Sequence, residues 1–102
     1  QALVNDIKNN KYNLVLDVRT RDEYLHQNLA SFLNQTNTDY INVPLDHLED
    51  ITLNNYLNKP ILIICRSGRR AEIGAKIFLK KCYSKLSVVK GGGVEDLLVK
   101  YS

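Results

Sequence analysis

Ile61-Leu62-Ile63-Ile64-Cys65-Arg66-Ser67-Gly68-Arg69-Arg70-Ala71 is the stretch that decides how this chain folds. Its first four residues are aliphatic on both alternating faces, the pattern of a strand at the buried centre of a parallel sheet rather than one with a wet side. Apolar character then stops within one residue, at Cys65, and Arg66, Arg69 and Arg70 follow around a Ser-Gly pair. Beyond them Ala71, Ile73, Gly74, Ile77 and Phe78 recur at helical spacing with Lys76, Lys80 and Lys81 elsewhere. That spacing predicts an amphipathic helix from near Arg70 to about Cys82. So little chain separates strand from helix that the backbone must curl, and Ser67-Gly68 permits the curl.

Upstream, Leu14 to Val18 reads as a second short apolar strand ending in charge. Thr20-Arg21-Asp22-Glu23 has the spacing of a capping box and starts a helix that runs to about Gln27. Ala2 to Ile7 carries weak helical spacing, and Asn28 to Asp39 is an irregular connection with a turn of helix at Leu29 to Leu33. Tyr40 to Val43 is a strand stopped by Pro44, and Leu45 to Leu57 supports one or two short helices before the Asn58-Lys59-Pro60 turn. Leu86 to Val89 is the next strand, Gly91 to Gly93 a flexible turn, and Val94 to Tyr101 a terminal helix. Strands alternating with helices imply an α/β fold: a small, mainly parallel sheet of four to five strands with helices on both faces.

The 102 residues are enough for one core and too few for two, so residues 1–102 are expected to form a single domain. No apolar run approaches the roughly 18 residues that cross a bilayer, so no membrane span is expected. The net charge of +3 owes much to Arg66, Arg69 and Arg70, which favours a small anionic ligand over a nucleic acid. Cys65, Cys82, His26 and His47 lack the close spacing of a zinc site, so neither metal nor cofactor is expected, and a domain with its own core needs no Cys65–Cys82 disulfide. Gln1 in place of an initiating Met points to trimming; cytoplasm and periplasm both stay open, with the cytoplasm preferred.

In an open α/β sheet, ligands bind beyond the carboxyl ends of the strands, and Cys65 stands there. A tight curl would turn successive N–H groups inward around its sulfur, with a helix amino end and three guanidiniums close by. Such surroundings favour thiolate over thiol, and the same cradle would hold an anionic persulfide and attract an anionic donor such as thiosulfate. The bland alternative makes Cys65 a small apolar residue closing a buried strand. That fits poorly with cations crowded at a helix amino end, where the dipole opposes them and something anionic should offset the cost.

Several pieces, in order, resemble the rhodanese homology domain from Leu14 to about Leu98: Leu16-Asp17-Val18-Arg19 with Glu23-Tyr24, Ile41 to Leu45, Cys65 to Ala71, and Val88 to Gly92. The resemblance implies that Cys65 is the sulfur-accepting nucleophile and that Arg66, Ser67, Gly68, Arg69 and Arg70 form the anion-binding loop. Asp17 and Arg19 would organise the active-site face. It further implies a sulfurtransferase that passes a sulfane sulfur from a small anionic donor such as thiosulfate to a thiol or cyanide acceptor, a protein thiol included. Two segments depart from the family pattern. Leu25 to Ala30 replaces a Gly-His-Ile-x-Gly-Ala-type segment, and Cys82 stands where relatives often carry glycine, read as a helix-end packing residue. Two other functions compete: a non-catalytic or sulfur-carrier module, and a Cys-dependent phosphatase or arsenate reductase. The phosphatase signature needs Arg six residues beyond the cysteine, which here is Ala71.

Overall fold

The computed structural model describes residues 2–66 and 68–89. Ten elements follow in chain order: α1 (Ala2–Lys8), β1 (Leu14–Asp17), α2 (Arg21–His26), α3 (Ala30–Leu33), β2 (Asp39–Asn42), two 3₁₀ turns (Leu45–Asp50 and Asn54–Tyr56), β3 (Ile61–Ile64), α4 (Arg69–Lys80) and β4 (Leu86–Val88). The sheet has four strands in the order β2-β1-β3-β4, and every pairing is parallel. The expected Gly91–Gly93 turn and Val94–Tyr101 helix lie outside the described residues.

β1 and β3 are buried at all eight positions: the aliphatic run of β3 and Leu14–Leu16 of β1 suit strands covered on both sides, and Asp17 at the end of β1 is buried with them. Alternation sends Val15, Leu62 and Ile64 into one core with Ile7, Tyr12, Leu29 and Leu33. It sends Leu14, Leu16, Ile61 and Ile63 into the other, against Leu48, Phe78 and Tyr83. α1 and α3 thus cover one face, and α4 with the first 3₁₀ turn covers the opposite one. α2 fully buries none of its own side chains and is held by polar contacts and by the Tyr24 ring, 5.5 Å from that of Tyr40.

The chain leaves β1 for β2 on one side and leaves β3 for β4 on the other. The connections therefore diverge between β1 and β3, where an open α/β sheet forms a crevice at its carboxyl end. Asp17 and Ile64 are register partners at that end, and Val18 N–H donates to the Ile64 carbonyl at 3.0 Å. α4 lies close over these strands because Gly74 has no side chain: a Cβ there would stand 3.1 Å from Leu48 Cδ1 and 3.5 Å from Ile63 Cγ2.

α4 ends in a Schellman motif. Tyr83 N–H donates to the Phe78 carbonyl and Cys82 N–H to that of Leu79, both at 3.1 Å, while the Phe78 and Tyr83 rings stack at 4.2 Å. The motif forces its middle residue left-handed, and Cys82 has φ 72°. Cys82 is exposed, so the packing expected of it is done by Tyr83, one residue on. The motif dictates this: its apolar contact joins the residue after the left-handed position to the helix's last turn. Cys82→Gly should therefore raise stability by about 1 kcal/mol, read as a higher urea midpoint at unchanged slope, because glycine adopts this conformation without a Cβ clash.

Candidate active site

Cys65 directly follows β3, with its residue fully buried and packed in the core shared by Val18, Ile63 and Ala71. Its Sγ accepts a hydrogen bond from Gly68 N–H at 2.9 Å and another from Ala71 N–H at 3.3 Å. Gly68 is the N-cap of α4 and lies at φ 98°, ψ −20°, a conformation that an L side chain resists. This geometry swings its N–H back onto the sulfur three residues earlier. The cysteine thus sits at the amino end of a twelve-residue helix, where the dipole is positive, with two amides aimed at it. N–H groups converging on one atom at a helix amino end are an arrangement that suits an anion.

The three arginines divide. Arg66 and Arg69 are exposed, whereas Arg70 is half-buried and forms a two-pronged ion pair with Glu23, at 2.5 and 2.9 Å. The anion that the crowded cations called for is thus, at Arg70, a carboxylate of the chain itself. Glu23 also closes the capping box of α2: Thr20 N–H donates to Oε1 at 3.1 Å, and Glu23 N–H donates to the Thr20 hydroxyl at 3.2 Å. One carboxylate therefore joins the first turn of α2 to the first turn of α4. Ser67 lies outside the described residues.

The Arg70 hydrogen bonds hold the Glu23 carboxyl at about 2, against an opposing push from partial burial. Since this lies below the ordinary value of 4.5, the pair stabilises the fold fully above that pH and fades as pH falls toward 2. Each partner is about a third exposed, so the contribution after solvent screening is about 1 kcal/mol. Urea midpoints down the acid limb should fall less steeply in Glu23→Gln than in the parent chain.

Asp17 and Arg19 are fully or nearly fully buried, not surface groups. Arg19 Nε donates to Asp17 Oδ1 at 3.0 Å and Nη2 to Oδ2 at 2.8 Å, a forked contact, while the Tyr40 hydroxyl donates to Oδ2 at 2.6 Å. The other guanidinium hydrogens reach the Glu23 and Gln27 carbonyls at 3.4 and 2.7 Å, so Arg19 places a cation at the carboxyl end of α2. Asn42 closes the group from β2, donating to the Asp17 and Arg19 carbonyls at 3.0 Å each. Burial would lower the Arg19 pKa, but the bonds and charge of Asp17 outweigh it and hold it above its ordinary value. Burial, then the Asp17 charge, pushes the Tyr40 hydroxyl well above its usual range.

A polar cavity of about 230 Å³ opens beside the loop, lined by Arg19, Glu23, His26, Gln27 and Arg66. Tyr40, Asn42 and the Glu23–Arg70 link were not foreseen from sequence. The capping box singled out Glu23 but not its partner 47 residues away. Cys65 and Cys82 are free thiols. Among the described residues no three His, Cys, Asp or Glu side chains cluster as metal ligands, and no helix is long and apolar enough to cross a membrane.

A parallel α/β sheet with a cysteine cradled at the amino end of the helix after a central strand defines a class, and the comparisons agree with it. The sequence matches the family profile of the rhodanese-like domain over residues 1–95, and the chain belongs to that family. No curated protein sequence gives a significant match. Among solved structures, reduced Bacillus anthracis CoADR-RHD superposes with a TM-score of 0.67 at 30% identity, over 89% of this chain and 14% of that one. The human single-domain sulfurtransferase TSTD1 gives 0.73 at 16% identity over 99% and 94%. The Saccharomyces cerevisiae single-domain sulfurtransferase RDL2 gives 0.70 at 17% over 97% and 85%. At those identities the last two speak to fold alone. The chain spans 14% and 13% of two larger relatives, CoADR-RHD and a NAD-dependent persulfide reductase from A. fulgidus.

Proposed function

We propose that this domain is a sulfurtransferase in which Cys65 carries the travelling sulfur. The observation that carries this reading is the pair of amides directed at Cys65 Sγ from the first turn of α4. The thiolate attacks the outer sulfur of a donor such as thiosulfate, the donor's S–S bond breaks, and sulfite leaves with the electron pair. The outer atom of the new Cys65 persulfide is anionic and rests in the same cradle. Cyanide or a thiolate acceptor then attacks that atom, and Cys65 departs as thiolate. Gly68 holds the left-handed corner, and Arg66 and Arg69 at the exposed rim draw the donor in. Arg70 contributes by fixing α4 through Glu23, and Asp17 and Arg19 fix the end of β1 and α2 around it.

Intact mass after incubation with thiosulfate tests this directly. The parent chain should gain the mass of one sulfur atom, reversed by reductant and missing in Cys65→Ala; an unchanged mass would sink the reading. Full burial of Cys65 favours a second version, a sulfur carrier serving one protein acceptor. Loading without multiple turnover on cyanide would select that version. The aryl-phosphatase alternative has little support, since the position six beyond Cys65 is Ala71, whose backbone amide rather than a guanidinium meets the sulfur.

A further inference from the structure

The outer face of α4 carries a feature that sulfur chemistry does not use. A cavity of about 430 Å³ lies between α4 and the first 3₁₀ turn, lined by Ile73, Lys76, Ile77, Lys80, Lys81 and Glu49. Its floor is aliphatic: Ile73 is 48% exposed, and Ile77 reaches down to the core beneath. Its far wall is fixed, because the Lys81 ammonium donates to the carbonyls of Glu49 at 2.9 Å, Leu48 at 3.5 Å, and Ile51. Lys76 and Lys80 flank the floor and form no ion pair among the described residues. Arg69, one turn before Ile73 on the same face, extends the cationic edge to the Cys65 loop.

We infer that this groove docks a partner protein through a short acidic amphipathic helix whose aliphatic residues seat on Ile73 and Ile77 and whose carboxylates meet Lys76 and Lys80. Aliphatic contact at Ile73 and Ile77, edged along α4 by Lys76 and Lys80 with Glu49 alone on the opposite wall, is the complement of a helix that carries its carboxylates along one edge. Among the described residues the groove has no aromatic platform on which a nucleic acid base would stack. It is concave and pre-formed, where a lipid surface would meet a protruding apolar face. A partner seated there would lie along α4, whose first turn directs an amide at Cys65.

The test is fluorescence anisotropy of a labelled peptide with leucines along one helical face and glutamates elsewhere, alongside its lysine counterpart and anionic phosphatidylserine vesicles. The glutamate peptide should bind, at least about tenfold more tightly than the lysine peptide. Ile73→Asp and the Lys76→Glu/Lys80→Glu pair should each weaken it about tenfold or more, and added salt should weaken it several-fold. Amide shifts should centre on residues 73–81 and Glu49. Cys65→Ala should bind like the parent chain, and the groove variants should keep the parent's thiosulfate–cyanide turnover. This separates a failed groove from a failed sulfur site. No binding, equal binding to Ile73→Asp, shifts centred elsewhere, or a preference for vesicles would each overturn the inference.

Discussion

Gly68→Val should cut thiosulfate–cyanide turnover by about 10² to 10³ while leaving the sheet intact. Valine at φ 98° places a branched side chain where Cβ clashes with the backbone, at a cost of about 1–2 kcal/mol. Relief comes by rotating the peptide, which swings Gly68 N–H off the sulfur that it meets at 2.9 Å. Removing one pre-aimed donor from a developing anion typically costs that factor in kcat. Thermal melting and sulfur loading by mass, measured beside turnover, separate this from unfolding. A folded variant with undiminished kcat would show that the Gly68 amide does nothing for the sulfur.

Asp17→Ala should have the largest effect on stability, about 3–5 kcal/mol, because it strips the partner from a guanidinium that is only 4% exposed. Tyr40 loses its acceptor in the same step. Against a total of about 5–15 kcal/mol for a domain, that is enough to bring unfolding close to working temperature. Replacing both members, as Asp17→Leu/Arg19→Met, should cost markedly less than Asp17→Ala alone, since no unpaired charge is left in the interior. Urea unfolding of the single and double variants decides it. Equal losses would mean that the pair acts by filling space rather than by mutual neutralisation.

Much of this architecture was legible in local pattern. The uninterrupted aliphatics of Ile61–Ile64 foretold a strand covered on both faces, Leu14–Val18 foretold a short strand ending in charge, and β3 and β1 are buried throughout. Thr20 and Glu23 foretold a capping box that is present in both directions. Leu29 to Leu33 was expected to hold a turn of helix, and α3 occupies Ala30–Leu33. The strand expected at Tyr40–Val43 runs over Asp39–Asn42, paired with β1 from Leu14↔Asp39 to Asp17↔Asn42, and Val43 N–H still donates to the Asp17 carbonyl at 2.9 Å. Local signals carry no register, so which residues face one another comes from the pairing alone.

By itself the sequence determined, among the described residues, where the main strands and helices fall, that the sheet is mainly parallel, and that Cys65 lies where a strand meets a helix. Those properties depend on hydrophobic period and turn chemistry among near neighbours. Only the tertiary structure decided which arginine does what. Guanidiniums at 66, 69 and 70 are equivalent on paper, yet Arg70 is bound to Glu23, 47 residues earlier, while Arg66 and Arg69 remain at the surface. The same holds for Asp17 and Arg19, whose burial requires Tyr40 and Asn42 to arrive from β2. Charges and hydrogen bonds act through space over a few ångströms, so their partners are chosen by how the elements pack rather than by their order along the chain.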